Sequence, residues 1–137
     1  MITKDELILN TYYNSKYPIS GFADTLPGIG YLLDGHIVAC MLYEPPLYGK
    51  CYIHLAVDIP HPKWVKECIL FLFEELNLKE VGAFVVSDNT SVIRLAETIG
   101  AQRVRVINCI PQEIEYSLKR NTGIHKRFKE KYGKSLI

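Results

Sequence analysis

The apolar residues of this 137-residue chain fall into short blocks, and the change of spacing from block to block marks its elements. From Thr3 to Tyr13 the run TKDELILNTYY puts Leu7, Ile8 and Tyr12 on one helical face. Thr3 and Glu6 stand at capping-box spacing, so the pattern predicts a first helix over Thr3–Tyr13, ended by Tyr17-Pro18. Ile19–Gly30, with three glycines and a proline, reads mostly as loop. Two strand-like runs, Ile29–Leu33 and His36–Glu44, then flank Asp34-Gly35. That pair favours a type I′ hairpin turn, whose two central residues both need positive φ. Pro45-Pro46 cannot extend the ladder. After LYGK a third strand, Cys51–Asp58, completes an antiparallel meander.

The spacing changes again after IPHP (Ile59–Pro62). The helix KWVKECILFLFEEL (Lys63–Leu76) is apolar nearly all round, so it should lie across the sheet with little exposed surface, ending near Asn77. VGAFVV (Val81–Val86) reads as a buried strand. The next helix starts at Asn89-Thr90-Ser91, where side chains accept from free backbone amides, and stops at Gly100, a left-handed C-cap. Strand, helix, strand and helix in this order make an α/β crossover, whose ligands sit beyond the carboxyl ends of the strands. Gln102–Ile110 and Glu113–Leu118, separated by Pro111-Gln112, form a hairpin, and Thr122–Tyr132 forms a last helix with Gly133 as its stop. The expected fold is α+β in α/β/α layers: a mixed sheet with an antiparallel meander and a β-α-β-α crossover. Residues 1–118 form one domain and residues 119–137 a basic helical tail.

Composition adds limits. No run reaches the roughly 18–20 apolar residues that span a bilayer, and Lys4, Asp5 and Glu6 break any signal-peptide pattern. The chain is therefore expected to stay in the cytoplasm. The four cysteines (Cys40, Cys51, Cys68, Cys109) form no C-x-x-C pair and read as buried reduced thiols, with no metal site. Lys119–Lys134 carries seven Lys or Arg against one Glu, while the whole chain has a net charge of +1, so the rest carries five net negative charges. A solvated terminal helix explains such a tail; an acidic or nucleic-acid partner is the functional alternative.

The element order, together with NTSVIRLAETIGA (Asn89–Ala101), resembles the GNAT superfamily of N-acetyltransferases. Asn89, Val92, Ile93, Leu95, Glu97, Ile99 and Gly100 occupy the positions of that family's last helix, with Ala101 in place of its usual Phe. The wording of the segment is similar to small GNAT-like proteins of tailed bacteriophages, internal virion proteins among them. The resemblance covers Ile29 to about Leu118. It implies a GNAT-like acyl-CoA N-acyltransferase fold in which the strand matching Tyr52–Val57 splays from its neighbour and acetyl-CoA inserts. Backbone groups of Leu55, Ala56 and Val57 would hold the pantetheine arm, and Asn89 would help bind the cofactor. The amides that open the next helix, at Lys63, Trp64, Val65 and Lys66, would hold the diphosphate.

The sequence departs from the family in that loop. Asp58–Lys66 lacks the family's glycines, and Pro60 and Pro62 each remove a donor. Pro62 suits the first helical position, which leaves the Trp64, Val65 and Lys66 amides facing outward, with Lys63, Lys66 and His61 adding charge.

Acetylation of an amine needs a base for the ammonium proton and an acid for the departing thiolate. His54, on the central strand, and Glu44, at the end of the preceding one, are the candidate bases; a core role for His54 is the alternative, and His36 beside the turn should simply be exposed. The family's acid, a tyrosine of the last helix, corresponds to Ala96, which leaves Tyr43, Tyr52 or Tyr116 to substitute. Two functions follow: an N-acetyltransferase using acetyl-CoA on an amine or protein acceptor, or a non-catalytic GNAT-fold protein of a bacteriophage, virion-associated or host-binding, in the host cytoplasm or virion. A nucleic-acid module would rest on the tail alone.

Overall fold

In a computed structural model of the chain, which describes residues 1–18 and 25–132, seven strands form one sheet in the order β1-β2-β3-β4-β5-β7-β6. Helix α1 (Glu6–Lys16) covers one face, against β2 (Gly28–Leu33), β3 (His36–Tyr43) and β4 (Lys50–Val57). The other face carries α2 (Pro62–Leu70), α3 (Thr90–Thr98) and α4 (Gly123–Tyr132). Strand β1 (Ile2–Thr3) pairs with β2 at one edge, and β5 (Glu80–Val86) joins the hairpin of β6 (Gln102–Ile107) and β7 (Glu113–Lys119) at the other. The α+β class, the meander and the crossover are thus as the pattern of residues predicts.

The meander follows from its turn. Asp34 and Gly35 have φ of 52° and 79°, the pair of positive values a type I′ turn requires. Alternation along β3 and β4 then sends residues to opposite faces. Ala39, Met41, Cys51 and Val57 enter the larger core under α2 and α3, while Cys40, Leu42 and Ala56 enter a smaller core with Leu9, Tyr12 and Tyr13 of α1.

Helix α1 begins later than the capping box implies. Asp5 is the N-cap, its Oδ1 accepting from the Ile8 amide at 3.1 Å, while Thr3 lies in β1 and accepts from the Asp5 amide. With that phase the buried face is Leu9, Asn10, Tyr12 and Tyr13, and Leu7 is 74% exposed. Residues 19–24 of the expected loop and the expected stop at Gly133 lie outside the described residues.

Helix α2 relaxes into a π-helical turn, Phe71–Glu75, and ends where Asn77 adopts φ of 53°. The Trp64 indole N–H donates to the Ile29 carbonyl at 2.8 Å, tying α2 across the sheet to β2. Strand β5 is buried on one face only, since Phe84 is 42% exposed on the side α1 leaves uncovered.

The basic C-terminal helix is not a solvated tail. Ile124 and Phe128 of α4 pack against the larger core, and His125 between them is fully buried. The His125 Nδ1 accepts from the Asn121 amide at 2.9 Å, so the ring's proton sits on Nε2, which faces Glu74 Oε1 of the π turn at 2.8 Å. Its ring stacks on Phe73 with centroids 4.6 Å apart. Gly100, at φ of 84°, lets the end of α3 meet the start of α4: a Cβ there would lie 2.7 Å from the Gly123 Cα. No helix among the described residues is long and apolar enough to cross a membrane.

Candidate active site

Strands β4 and β5 run parallel but pair at three positions only, Lys50↔Glu80, Cys51↔Val81 and Tyr52↔Gly82. At the last of these the Tyr52 ring lies over Gly82, where a Cβ would come within 2.8 Å of it, and stacks on Phe84 at 5.2 Å. Beyond that row the two strands part. The opening is a slot of about 340 Å³ walled by residues 53–55 of β4 and 83–86 of β5, with Tyr13 of α1, Tyr17 just past that helix, Asn89, and Glu113 of β7 around it. The slot leaves the upper β4 edge, including Leu55, Ala56 and Val57, without β5 as a ladder partner.

The two base candidates meet on the α1 side of this slot. Leu42 pairs with His54, and the Glu44 amide donates to the Tyr52 carbonyl at 3.0 Å, which continues the β3–β4 register by one residue. Glu44 and His54 therefore project from the same face of neighbouring strands, and His54 Nε2 lies 3.1 Å from Glu44 Oε2. Tyr13 stands edge-on to the imidazole with centroids 6.2 Å apart. An imidazole oriented by a carboxylate on the wall of an opened cleft is the arrangement a proton acceptor needs.

At the mouth, Asn89 caps α3 by accepting from the Val92 amide at 3.4 Å. Its side-chain N–H also donates to the Tyr17 hydroxyl at 2.7 Å. The same residue thus fixes the start of α3 and joins it to the end of α1. Asp58, just past β4, accepts from the Tyr12 hydroxyl at 2.6 Å and from Lys16 Nζ at 2.7 Å. The Lys16 hydrogen bond and then the Tyr12 one hold its carboxyl below the usual carboxylate range, while burial and the Asp58 charge push the Tyr12 hydroxyl up.

The loop after Asp58 differs from what the sequence implies. The Asp58 and Ile59 amides both donate to the Val38 carbonyl, the His61 amide to the Ile59 carbonyl, and the Val65 amide to the His61 carbonyl. The Lys63 amide donates to His61 Nδ1 at 3.2 Å, so His61 caps α2 and stacks on Tyr31 at 4.2 Å rather than standing as a loose cation. The Val65 amide is therefore turned into the first helical turn, not outward. Trp64 contributes no surface either; its side chain is 1% exposed. Lys63, Val65 and Lys66 do line a groove of about 710 Å³ between α2, α3 and α4. A space of about 490 Å³ at the mouth, lined by Asp58, Asn89 and Ser91 among others, links this groove to the slot.

Behind the slot, Ile53, Leu55, Ala83 and Val85 also wall a small apolar cavity that reaches Ala96 and Tyr116. Tyr116 is 3% exposed, and its buried hydroxyl has no hydrogen-bond partner among the described residues. Of the other two tyrosines, Tyr43 packs on Phe71 and Tyr52 on Phe84. Burial raises the thiols of Cys40 to about 12 and Cys51 to about 11, and raises that of Cys68 well above its usual value, which leaves them protonated and unreactive. Cys109 is exposed, in contrast to the expectation of four buried thiols, because the β6–β7 connection extends to Asn108–Gln112 and carries it into solvent. Among the described residues no three His, Cys, Asp or Glu side chains group as a metal site.

Sequence reasoning did not find the Tyr12–Asp58–Lys16 cluster, Tyr13, Tyr17 or Glu113. Nothing in their local spacing distinguishes them from ordinary helix and strand residues; the topology alone brings them to one mouth.

A seven-stranded mixed sheet with this order, opened between β4 and β5, is the GNAT acetyltransferase fold. The chain superposes on an N-acetyltransferase from Staphylococcus aureus Mu50 with a TM-score of 0.66 at 12% identity, over 87% of this chain and 97% of that one. A ribosomal-protein-alanine N-acetyltransferase from Brucella melitensis gives 0.63 at 13% identity, over 87% and 99%. Mycobacterium smegmatis RimJ in complex with CoA-disulfide gives 0.59 at 12% identity, over 77% of this chain and 60% of that one. No family model matches the sequence, and no curated protein matches it significantly.

Proposed function

We propose that the protein is an N-acetyltransferase that moves an acetyl group from a pantetheine thioester, acetyl-CoA in the family it resembles, to a primary amine. The observation that carries this reading is the slot between β4 and β5 with His54 on its wall and Glu44 bonded to the imidazole. The upper β4 edge, at Leu55, Ala56 and Val57, offers backbone groups to the amides of the pantetheine arm, and Asn89 holds the mouth in shape. Lys63 and Lys66 contribute side-chain charge at the outer groove and Val65 an apolar part of its wall, while Trp64, buried, anchors α2 to β2. The donor supplies an activated acyl carbon. His54 takes the proton from the ammonium of the acceptor, and Glu44 keeps the ring turned toward it. Tyr116 gives a proton to the departing sulfur, in place of the helix position held by Ala96; its hydroxyl is buried beside the slot and awaits a partner.

A thermal-shift titration with acetyl-CoA tests the reading, with ATP as control. At a hundred times its dissociation constant a ligand adds about 2.7 kcal/mol of stability, a clear rise in melting temperature. No shift at millimolar acetyl-CoA or acetyl-pantetheine would rule the reading out. Tyr116→Phe tests the acid. It should lower kcat by about 100-fold and leave the melting temperature equal or higher, since it removes an unsatisfied group. A kcat within about threefold of the parent value would exclude Tyr116 from that role.

A second reading, a non-catalytic protein of a bacteriophage that binds a virion or host protein, is favoured by the engaged amides of the Asp58–Val65 loop and by Ala96. The absence of any shift in the titration would select it.

A further inference from the structure

The donor mouth of the slot carries a contradiction. A nucleotide coenzyme brings a diphosphate to the loop after β4, and a diphosphate there needs free backbone donors. In this chain the amides of Asp58, Ile59, His61, Lys63 and Val65 are all committed to the Val38, Ile59 and His61 acceptors described above. Pro60 and Pro62 have no N–H to give. The carboxylate of Asp58 stands at the same mouth. The slot fits a pantetheine arm; the loop does not fit the diphosphate.

What lies outside the loop is a groove suited to something larger. Its walls are apolar, formed by Val65, Leu95, Ile99, Ile124 and Phe128, and its volume of about 710 Å³ is roughly twice that of the slot's 340 Å³. Three cations, Lys63, Lys66 and Arg94, also line it. Its one carboxylate, Asp58, is already held by Lys16. The helix that closes the groove, α4, carries Lys126, Arg127, Lys129 and Lys131 against the single Glu130. An apolar trough with a cationic border is complementary to an amphipathic acidic helix.

We propose that the thioester reaches the slot as a phosphopantetheine arm borne on an acidic carrier protein, whose surface helix docks in the groove between α2, α3 and α4. The inference rests on the reading of the slot as a pantetheine site and names the donor. A single phosphodiester at the mouth needs only side-chain cations, and the carrier surface supplies the binding area that a nucleotide would otherwise provide. The bond changes are those of the acyl transfer: the acyl C–S bond breaks, the C–N bond forms, and the thiol stays on the carrier's arm.

The test is calorimetric titration of the full chain with pantetheine, CoA and an acidic holo acyl carrier protein. Pantetheine and CoA should bind within about tenfold of each other, because the amides of Asp58, Ile59, His61, Lys63 and Val65 are already committed and give the diphosphate no cradle. The carrier should bind at least about tenfold tighter than pantetheine at low salt and lose that advantage in 0.5 M salt. Arg94→Glu, at an exposed position that lines the groove and not the slot, should abolish the carrier's advantage and leave pantetheine binding unchanged. CoA binding more than about 100-fold tighter than pantetheine would overturn the inference while leaving the slot reading intact. A carrier that binds no better than pantetheine would overturn it too. Failure of all three ligands would overturn the slot reading and this inference together.

Discussion

A His54→Gln variant should fold as the parent does, bind the thioester donor with unchanged affinity, and lose about 100- to 1,000-fold in kcat. Glutamine is close to the imidazole in reach, and its amide N–H can still donate to Glu44, so the β3–β4 face keeps its contact. What it cannot do is take a proton from an ammonium. Glu44→Gln should be milder, about tenfold, because it removes the carboxylate that orients the ring but leaves the imidazole in place. Measuring kcat and the donor's dissociation constant separately distinguishes this from a fault in binding. If kcat for His54→Gln stays within a few-fold of the parent, the histidine is a core residue of β4 and the proton leaves by another route.

The largest effect on stability should come from the other end of the molecule. His125→Ala removes a fully buried ring that stacks on Phe73, pairs with Glu74 and accepts from the Asn121 amide. It leaves a cavity, an unpaired backbone donor and a carboxylate that has lost its hydrogen bond and keeps the charges of Arg120 and Lys129. Together these cost about 3 kcal/mol, or roughly 10 °C in melting temperature for a chain of this size. The same cluster should shape the acid limb of stability. The His125 hydrogen bond, and then the charges of Arg120 and Lys129, hold the Glu74 carboxyl below its ordinary value of 4.5. A carboxyl depressed in the folded state stabilises above its unfolded pKa, and that contribution disappears as pH falls through the folded value. Denaturant midpoints should therefore drop on acidification below about pH 4.5, and Glu74→Gln should make that drop shallower. A loss under 1 kcal/mol for His125→Ala, or an unchanged acid limb in Glu74→Gln, would show that α4 is held by Ile124 and Phe128 alone.

Both features bear on what a sequence discloses. Asp34-Gly35, Asn89 and Gly100 are legible because each answers a local need: two positive φ values, an acceptor for orphan amides, a left-handed stop. Element order follows from such signals, and the sheet with it. The first cap was misread because Thr3 and Asp5 both offer an oxygen at a usable distance, and pairing of Ile2 and Thr3 with Tyr31 and Gly30 decides between them. His125 lies in a run of lysines and arginines, and charge counting assigns such a run to solvent; the Gly100–Gly123 contact instead brings its helix onto the core. His54 and Glu44 could be chosen singly from residue type, but their pairing depends on the β3–β4 register. The commitment of the loop amides was not legible at all, since Val38, which takes two of them, lies twenty residues or more away in sequence.

The three paired positions between β4 and β5 also have a mechanical meaning. By strand order the sheet is one layer, yet by hydrogen bonding it is two panels, β1 to β4 and β5 with the β6–β7 hairpin, stitched along a seam at one end. Such a seam is the weakest line across the sheet, and the two panels are natural units of independent opening. A chain inserted at the open end would zip the panels together through its own backbone-like amides, so that the guest completes the host's secondary structure.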